Sequence, residues 1–229
     1  MKKPDKVHIL FERSGTFLRA FEKLGIEAID YDLESEHDAV VKTDIFHEID
    51  KFCVSQNWSI LSKMKPDDLV LAFFPCTYFS DQSQLISRCD SYSMQNYSLE
   101  KKIKIAEENM DKRAEFFKKL CQLVYIADIL KLRLIIENPF GKVNFLKWFF
   151  PLKPGIVIND RRAWGDFFKK PTQFFFVNCE TEFFLNPTYG NVMQKKSVEA
   201  TKGFSRSRIS GTFADNFIEW VLKDESWEK

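Results

Sequence analysis

Short apolar runs alternate with helical patterns along this chain, and that alternation limits its possible folds more than any other feature. Residues 7–11 (VHILF) and 69–74 (LVLAFF) have almost no polar positions, as in strands that are covered on both faces of a sheet. Between such runs, Phe17, Phe21 and Leu24 recur at helical spacing, and Gly25 is a suitable helix end. Alternating strands and helices predict a doubly wound α/β fold with a mostly parallel sheet.

The remaining elements follow from the same patterns. Further strands are predicted at 27–34 (EAIDYDLE), 40–46 (VVKTDIF, the weakest), 132–141 (LRLIIENPFG, broken by Asn-Pro and Gly), 155–160 (GIVIND) and 172–178 (TQFFFVN). Helices are predicted over about 101–130 and 212–222, and the polar segment 81–100 is predicted to be a mobile loop. With no internal repeat, low-complexity tract or linker, residues 1–229 are expected to form a single domain.

Composition excludes some classes of protein and leaves others open. The net charge is +1, so no global charge indicates nucleic acid, although residues 142–210 carry 12 basic against 5 acidic side chains. That local excess fits either phosphate contacts or an ordinary solvated surface. The 5 cysteines form neither a CxxC pair nor a zinc pattern, so no metal is expected, and their odd number is typical of a reducing cytoplasm. No segment has the pattern of a signal peptide or membrane span, so a cytoplasmic protein without a membrane partner is expected.

Polar and reactive side chains are predicted at the carboxyl ends of the strands. In an open α/β sheet these ends border the ligand crevice. A glycine turn after the first strand, combined with an acid after the second strand, suits a cofactor that contains ribose. A solvent-exposed strand end explains that acid equally well. Glu12, Ser14 and Gly15 follow the first strand, Asp32 ends the second and Asp44 ends the third. Pro75 and Cys76 follow the fourth strand, and Glu137 and Asn138 lie at the end of the fifth.

Cys76 and Glu137 form the most specific pair in this set. A thiolate can attack an electrophilic carbon, and a nearby carboxyl group can exchange a proton with the same substrate. Each residue alone has a simpler explanation, Cys76 as a small core side chain and Glu137 as the start of an Asn-Pro turn. Their position at adjacent strand ends, each beside a proline or an Asn-Pro pair, favours a joint role.

Several segments resemble the cytosine-5 DNA methyltransferases, and most closely the compact members of phages and prophages. FPCTYFS followed by IIENPFG resembles the Pro-Cys and Glu-Asn motifs of that family. FERSGTFLRAFEKLGIEAIDYDLE is similar to its cofactor motif and second strand. WGDFFKKPTQFFFVN and SRSRISGTFADNFIEWV are similar to its penultimate strand region and final motif. The resemblance extends from about Val7 to Val221.

The resemblance implies a Rossmann-like, S-adenosylmethionine-dependent enzyme that methylates C5 of cytosine in DNA, either a duplex with a flipped base or a single strand. Cys76 would attack C6 of the extruded base and Glu137 would hold N3, while Asp32 and Asp44 would contact the cofactor's ribose and adenine. The implied cofactor-binding set is Phe11, Ser14, Gly15, Thr16, Phe17, Asp32 and Asp44; the catalytic set is Cys76, Glu137, Pro75 and Asn138; the substrate-binding set is Thr77, Arg161, Arg162 and Lys170.

The chain also departs from the family pattern. Arg13 and Thr16 stand where the family usually has glycines, Phe74 replaces a second proline, and the Gln-x-Arg-x-Arg motif is missing. Only about 25 residues, 179–203, occupy the place of a target-recognition domain, so no substantial separate one is expected and specificity could require a partner. Two alternatives remain open: a degenerate scaffold that binds nucleic acid or cofactor without turnover, and an amino-methyltransferase that uses ENPF.

Overall fold

The computed structural model describes residues 2–34, 40–179, 196–197 and 209–222 of the chain. Its strands are β1 (Val7–Leu10), β2 (Ala28–Asp32), β3 (Val41–Lys42), β4 (Leu69–Ala72), β5 (Arg133–Pro139), β6 (Ile156–Ile158), β7 (Phe168–Lys169), β8 (Thr172–Val177) and β9 (Lys196–Ser197). Its α-helices are α1 (Thr16–Lys23), α2 (Ile45–Val54), α3 (Asp81–Ser87), α4 (Leu99–Leu130), α5 (Phe145–Phe149) and α6 (Gly211–Leu222). Short 3-10 turns occupy Gln56–Trp58, Ile60–Lys63, Tyr92–Met94 and Arg161–Trp164.

Seven of the strands form one open sheet in the order β3-β2-β1-β4-β5-β8-β6, and β7 pairs with β9 separately. The first five strands in this order are mutually parallel, and β8 runs antiparallel between β5 and β6. The dinucleotide-binding fold has six parallel strands in the order 3-2-1-4-5-6. The present sheet differs from it by one additional, antiparallel strand, β8, which lies between β5 and the edge strand β6. The predicted α/β fold with a mostly parallel sheet is therefore confirmed.

Helices cover both faces of the sheet, which explains the apolar runs. In β4, Val70 and Ala72 face the layer of α2 and α4, while Leu69 and Leu71 face the layer of α1 and α6. Alternate side chains of a strand point to opposite faces, so a strand buried on both faces must be apolar at every position. No helix within the described ranges is both long enough and apolar enough to cross a membrane.

The segment 40–46 differs from its predicted strand. Pairing is limited to Val41 and Lys42, because Asp44 caps the N-terminus of α2 by accepting a hydrogen bond from the backbone N–H of His47 at 3.2 Å. The apolar positions Ile45 and Ile49 then face the core at helical spacing. The strand prediction was therefore wrong beyond Lys42.

The segment 81–100 is ordered, so the prediction of a mobile loop was wrong. Ser80 caps α3 by accepting from the backbone N–H of Ser83, and Ser98 caps α4 by accepting from that of Lys101. The side chain of Arg113, on α4, donates to the backbone carbonyl of Ser83 at 3.1 Å. Hydrogen bonds to another element hold this segment, and hydrophobic periodicity does not reveal them.

Candidate active site

A cavity of about 660 Å³ opens at the carboxyl edge of β1, β2, β4 and β5, where parallel α/β sheets bind ligands. Its volume is in the usual range for small-molecule and cofactor sites. The predicted site residues that line it are Phe11, Ser14, Asp32 and Asp44 on the cofactor side, and Pro75, Cys76, Thr77, Glu137 and Lys170 on the catalytic side. The sheet thus brings some members of both predicted groups into one cavity, although other members lie outside it.

Other lining residues were not assigned a role from the sequence. They are Glu12, Arg13, Leu33, Glu34, Thr43, Ile45, Phe46, Phe73, Phe74, Phe116 and Ile209. Phe46 reaches the cavity only because α2 begins at Ile45, and Phe116 comes from the middle of α4. Their sequence patterns indicate core packing, so only the tertiary arrangement reveals that they line a site.

The turn after β1 has a constrained backbone at the cavity wall. Phe11 has a φ of 63°, in the left-handed region that residues other than glycine rarely adopt. Its backbone N–H donates to the carbonyl of Tyr31 at 3.0 Å, and its ring packs against those of Phe46 and Phe74 at centroid distances of 5.5 and 5.4 Å. Such conformations persist where the surroundings fix them, often at binding sites.

Glu12 organises the rest of this turn. Its Oε1 accepts hydrogen bonds from the backbone N–H of Ser14 at 3.2 Å and from the Ser14 hydroxyl, and Ser14 Oγ lies 2.7 Å from Thr16 Oγ1. Gly15, with a φ of 63°, is the N-cap residue of α1. Gly15 and Thr16 are buried and shape the turn, while Phe17 is buried against Phe73 at a centroid distance of 4.6 Å. None of Gly15, Thr16 and Phe17 lines the cavity.

A second carboxyl group, that of Asp30, lies buried beside Glu12. Neither Asp30 oxygen accepts a hydrogen bond from a donor group within the described part of the chain, and the same holds for Glu12 Oε2. The Asp30 carboxyl group instead forms a hydrogen bond with the side chain of Glu12, in which the two groups can share a proton. Burial, followed by repulsion from Glu12, raises the pKa of Asp30 to about 9. Asp30 is therefore a neutral carboxylic acid at physiological pH, beneath the cofactor side of the cavity.

Two acids at strand and helix ends complete the cofactor side. Asp32, at the end of β2, accepts from the backbone N–H of Glu34 at 2.7 Å, and partial burial raises the pKa of its carboxyl group. Asp44 lines the cavity from the N-cap of α2. Carboxylates at these positions can accept hydrogen bonds from ribose hydroxyls or from an exocyclic amino group.

On the catalytic side, Cys76 is partly buried at the start of a turn, and its backbone carbonyl accepts hydrogen bonds from backbone N–H groups later in that turn. The backbone N–H groups of Phe79 and Ser80 donate to the Cys76 carbonyl at 3.0 and 3.2 Å. Burial raises the pKa of the Cys76 thiol; the ammonium of Lys170 acts to lower it and the carboxylate of Glu137 to raise it. These three side chains therefore influence one another electrostatically within the cavity.

Glu137 and Asn138 are positioned by β8 and by the cysteine segment. Glu137 Oε1 accepts from Thr172 Oγ1 at 3.3 Å. Asn138 is fully buried, and its Nδ2 donates to the carbonyl of Phe74 at 3.2 Å. Asn138 does not line the cavity. It joins the end of β5 to the residues that precede Cys76.

The two predicted substrate-binding arginines lie elsewhere. Arg161 is only 1% exposed and forms an ion pair with buried Asp166. Arg162 donates to the carboxylate of Asp160, with Nε 2.9 Å from Oδ1. Neither side chain lines the cavity, whereas Lys170 does. Lys170 thus supplies positive charge at the catalytic side.

No protein-family model matches this chain, and no curated protein shows a significant match to it. Within the described ranges, no group of three or more histidine, cysteine, aspartate or glutamate side chains is arranged to hold a metal ion. The chemical reading of the cavity therefore depends on the residues that line it.

Proposed function

We propose that this chain is an S-adenosylmethionine-dependent methyltransferase that acts on C5 of cytosine in DNA through a cysteine-linked intermediate. One observation carries the proposal: a single cavity joins Cys76, Glu137 and Lys170 to Phe11, Asp32 and Asp44. Methylation of cytosine at C5 requires a nucleophile, a neighbouring proton donor and a methyl donor bound next to them, and the lining of this cavity supports that combination.

Several residues on the cofactor side of the cavity support a site for S-adenosylmethionine. Asp32 would accept hydrogen bonds from the ribose, Asp44 would lie near the adenine amino group, and the Phe11 ring offers an apolar wall. When bound, the cofactor would supply an electrophilic methyl group. The reversed strand β8 supports the proposal indirectly, because it carries Thr172, the hydrogen-bond partner of Glu137.

Residues on the catalytic side would activate the cytosine base. C6 of cytosine is inaccessible within a stacked duplex, so the target must be extruded or unpaired. The Cys76 thiolate would form a bond to C6, the electron pair of the C5–C6 double bond would become available at C5, and Glu137 would hold a proton at N3. After methylation, loss of the C5 proton to water would restore the double bond and expel the Cys76 thiolate. Lys170 favours the thiolate, against the effect of burial.

A second candidate is a scaffold of the same fold that binds ligands without turnover. The raised pKa of the Cys76 thiol favours it, because burial reduces the thiolate fraction at neutral pH. An acid and an arginine also occupy the turn after β1, where Glu12 and Arg13 line the cavity. The experiment below separates the two candidates.

The test is a covalent trap with DNA in which 5-fluorocytosine replaces cytosine. The protein is incubated with this DNA and S-adenosylmethionine and weighed as an intact adduct. Fluorine at C5 blocks the final elimination, so we expect a stable DNA adduct that carries one added methyl group. The Cys76→Ala variant should form no adduct, whereas Cys53→Ala, at an exposed cysteine of α2, should react like the natural chain.

A thermal-shift titration with S-adenosylmethionine accompanies the trap. A ligand that binds only the folded state raises the melting temperature as its concentration rises. We expect such a shift, and we expect Asp32→Ala to reduce it. An adduct in the Cys76→Ala variant would exclude the proposed nucleophile, and the absence of any adduct despite cofactor binding would favour the scaffold.

A further inference from the structure

An exposed aromatic and basic surface lies beside the proposed active site, and the reaction outlined above does not use it. Trp148 and Phe149, in α5, are 67% and 63% exposed. The Lys147 ammonium lies 5.3 Å from the centre of the Trp148 ring and 5.8 Å from that of the Phe140 ring. These four residues, Phe140, Lys147, Trp148 and Phe149, form what we call the α5 patch.

Backbone hydrogen bonds tie the α5 patch to both sides of the catalytic region. The N–H of Phe145, at the start of α5, donates to the carbonyl of Phe79 at 2.9 Å, three residues beyond Cys76. The N–H of Phe140 donates to the carbonyl of Pro171 at 2.9 Å, next to the lysine that lines the cavity. The patch is thus held between the cysteine turn and the strand that follows this lysine.

The charge around the patch favours a polyanion. Residues 139–159 contain Lys142, Lys147 and Lys153 and no acidic residue. Asp81 approaches this segment, but its carboxylate accepts from the backbone N–H groups of Lys142 and Val143 at 3.1 and 3.3 Å. The three lysines are exposed, so they can contact phosphates.

Exposed aromatic rings combined with lysines suit unpaired bases. In a duplex both faces of each internal base are covered by its neighbours, whereas an unpaired base can stack on an aromatic side chain. The same patch would gain much less from a paired strand, which offers phosphates but no free base face.

We infer that the α5 patch binds unpaired nucleotides adjacent to the target cytosine, so that the substrate is single-stranded DNA. The inference rests on the proposed function for the identity of the target base, while the binding surface itself stands on the geometry of α5. It specifies the substrate class that the catalytic residues alone leave open.

The test measures binding without chemistry. A fluorescein-labelled DNA strand of about 15 nucleotides, near the upper site size of one single-strand-binding fold, is titrated with the full chain without cofactor, and anisotropy is recorded. The same strand in a duplex and the RNA of the same sequence are titrated in parallel. We expect the tightest binding with single-stranded DNA.

Two variants connect the binding to the patch. Trp148→Ala should weaken single-strand binding about tenfold, within the range that stacking of one base contributes. Lys147→Gln should reduce the slope of log Kd against log salt concentration by about 0.7, as expected when one phosphate contact of a single strand is lost. The matched control is Trp58→Ala, because Trp58 is 79% exposed and precedes the amino end of β4, away from the cavity edge.

Several outcomes would overturn the inference. They are equal or tighter binding of the duplex, tighter binding of the RNA, and unchanged binding by Trp148→Ala. A change in oligomeric state on sedimentation of Trp148→Ala, with DNA binding intact, would assign the patch to contacts between copies of the chain and would also overturn it. If the protein forms the covalent adduct with duplex DNA, and Trp148→Ala does not change the amount of adduct, the proposed function stands and this inference is rejected. Strand binding that depends on Trp148, with no trap, would support the surface and reject the reaction.

Discussion

The Cys76 thiol is subject to opposing influences on its proton. Burial removes water that would stabilise a thiolate, and the neighbouring Glu137 carboxylate adds repulsion, so the pKa rises. The Lys170 ammonium acts in the other direction. A cysteine held mostly as the thiol resists oxidation, and a bound ligand that excluded water or shifted Glu137 would change this balance.

These influences predict opposite effects of two substitutions at the cavity. The rate of Cys76 alkylation by iodoacetamide should rise with pH, with a midpoint above that of an ordinary thiol. Lys170→Met should move the midpoint to higher pH because a favourable charge is lost, and Glu137→Gln should move it to lower pH because a repulsive charge is lost. Peptide mass spectrometry after timed alkylation measures both, with exposed Cys53 as the internal reference. A downward shift in Lys170→Met would contradict this account.

At the scale of elements, a buried guanidinium joins α3 to α4 directly after the cysteine turn. Arg113 Nε donates to the carbonyl of Tyr78 at 2.9 Å, and its Nη2 donates to Ser87 Oγ at 2.6 Å and to the carbonyl of Ser83 at 3.1 Å. Desolvation lowers the pKa of Arg113, and the side chain is balanced by neutral oxygens of several residues. The polar sequence of α3 is ordered because α4 supplies this donor.

Removal of this donor should loosen the cysteine turn and α3 together. Arg113→Met should lower the free energy of unfolding by about 2–3 kcal/mol, because several buried acceptors lose a charged donor. Urea denaturation measures this loss, and hydrogen exchange should become faster in residues 78–98. Lys112→Met is the matched control, since exposed Lys112 forms an ion pair with exposed Glu115 on the same helix, and it should leave both measurements nearly unchanged. Equal effects of the two variants would show that the network does not order α3.

At the scale of the whole molecule, the buried acid Asp30 makes global stability depend on pH. Its carboxyl group is ionised in the unfolded chain above about pH 4 and protonated in the folded chain up to about pH 9. The folded state therefore binds the extra proton in this window, and stability must fall as the pH rises through it. Buried His8, whose pKa is lowered, makes stability rise with pH below its ordinary pKa. The buried cysteines, whose pKa is raised, make stability fall above about pH 8, where unfolded thiols begin to ionise. The interval from about pH 7 to pH 8 therefore isolates Asp30.

The Asp30→Asn variant should lose most of this pH dependence. The unfolding free energy of the natural chain should decrease between pH 7 and pH 8, whereas that of the variant should stay nearly level because no proton is exchanged on unfolding at this position. Urea midpoints across the interval provide the measurement. Asp67→Asn, at an exposed acid, serves as the control and should keep the natural slope. Parallel slopes in the natural chain and Asp30→Asn would mean that Asp30 is already ionised in the folded state.

Local sequence determined the positions of most elements. The runs at 7–11 and 69–74 became β1 and β4, and the pattern after residue 100 became α4, because burial on two faces or on one helical stripe leaves a regular trace in the sequence. The positions of Cys76 and Glu137 followed from the same reasoning, since parallel strands end at one edge of the sheet. The cavity that contains both is consistent with that expectation.

Tertiary structure alone decided which of the predicted site residues share the cavity. Phe17 is buried because its ring packs against that of Phe73 in the core. Asn138 is buried with a hydrogen bond to the Phe74 carbonyl, and Arg161 is buried in an ion pair with Asp166. The starts of α2 and α3 also depended on caps and on partners distant in the chain. Periodicity reports whether a residue is buried, but the identity of its partner is set by long-range packing, which leaves no regular spacing in the sequence.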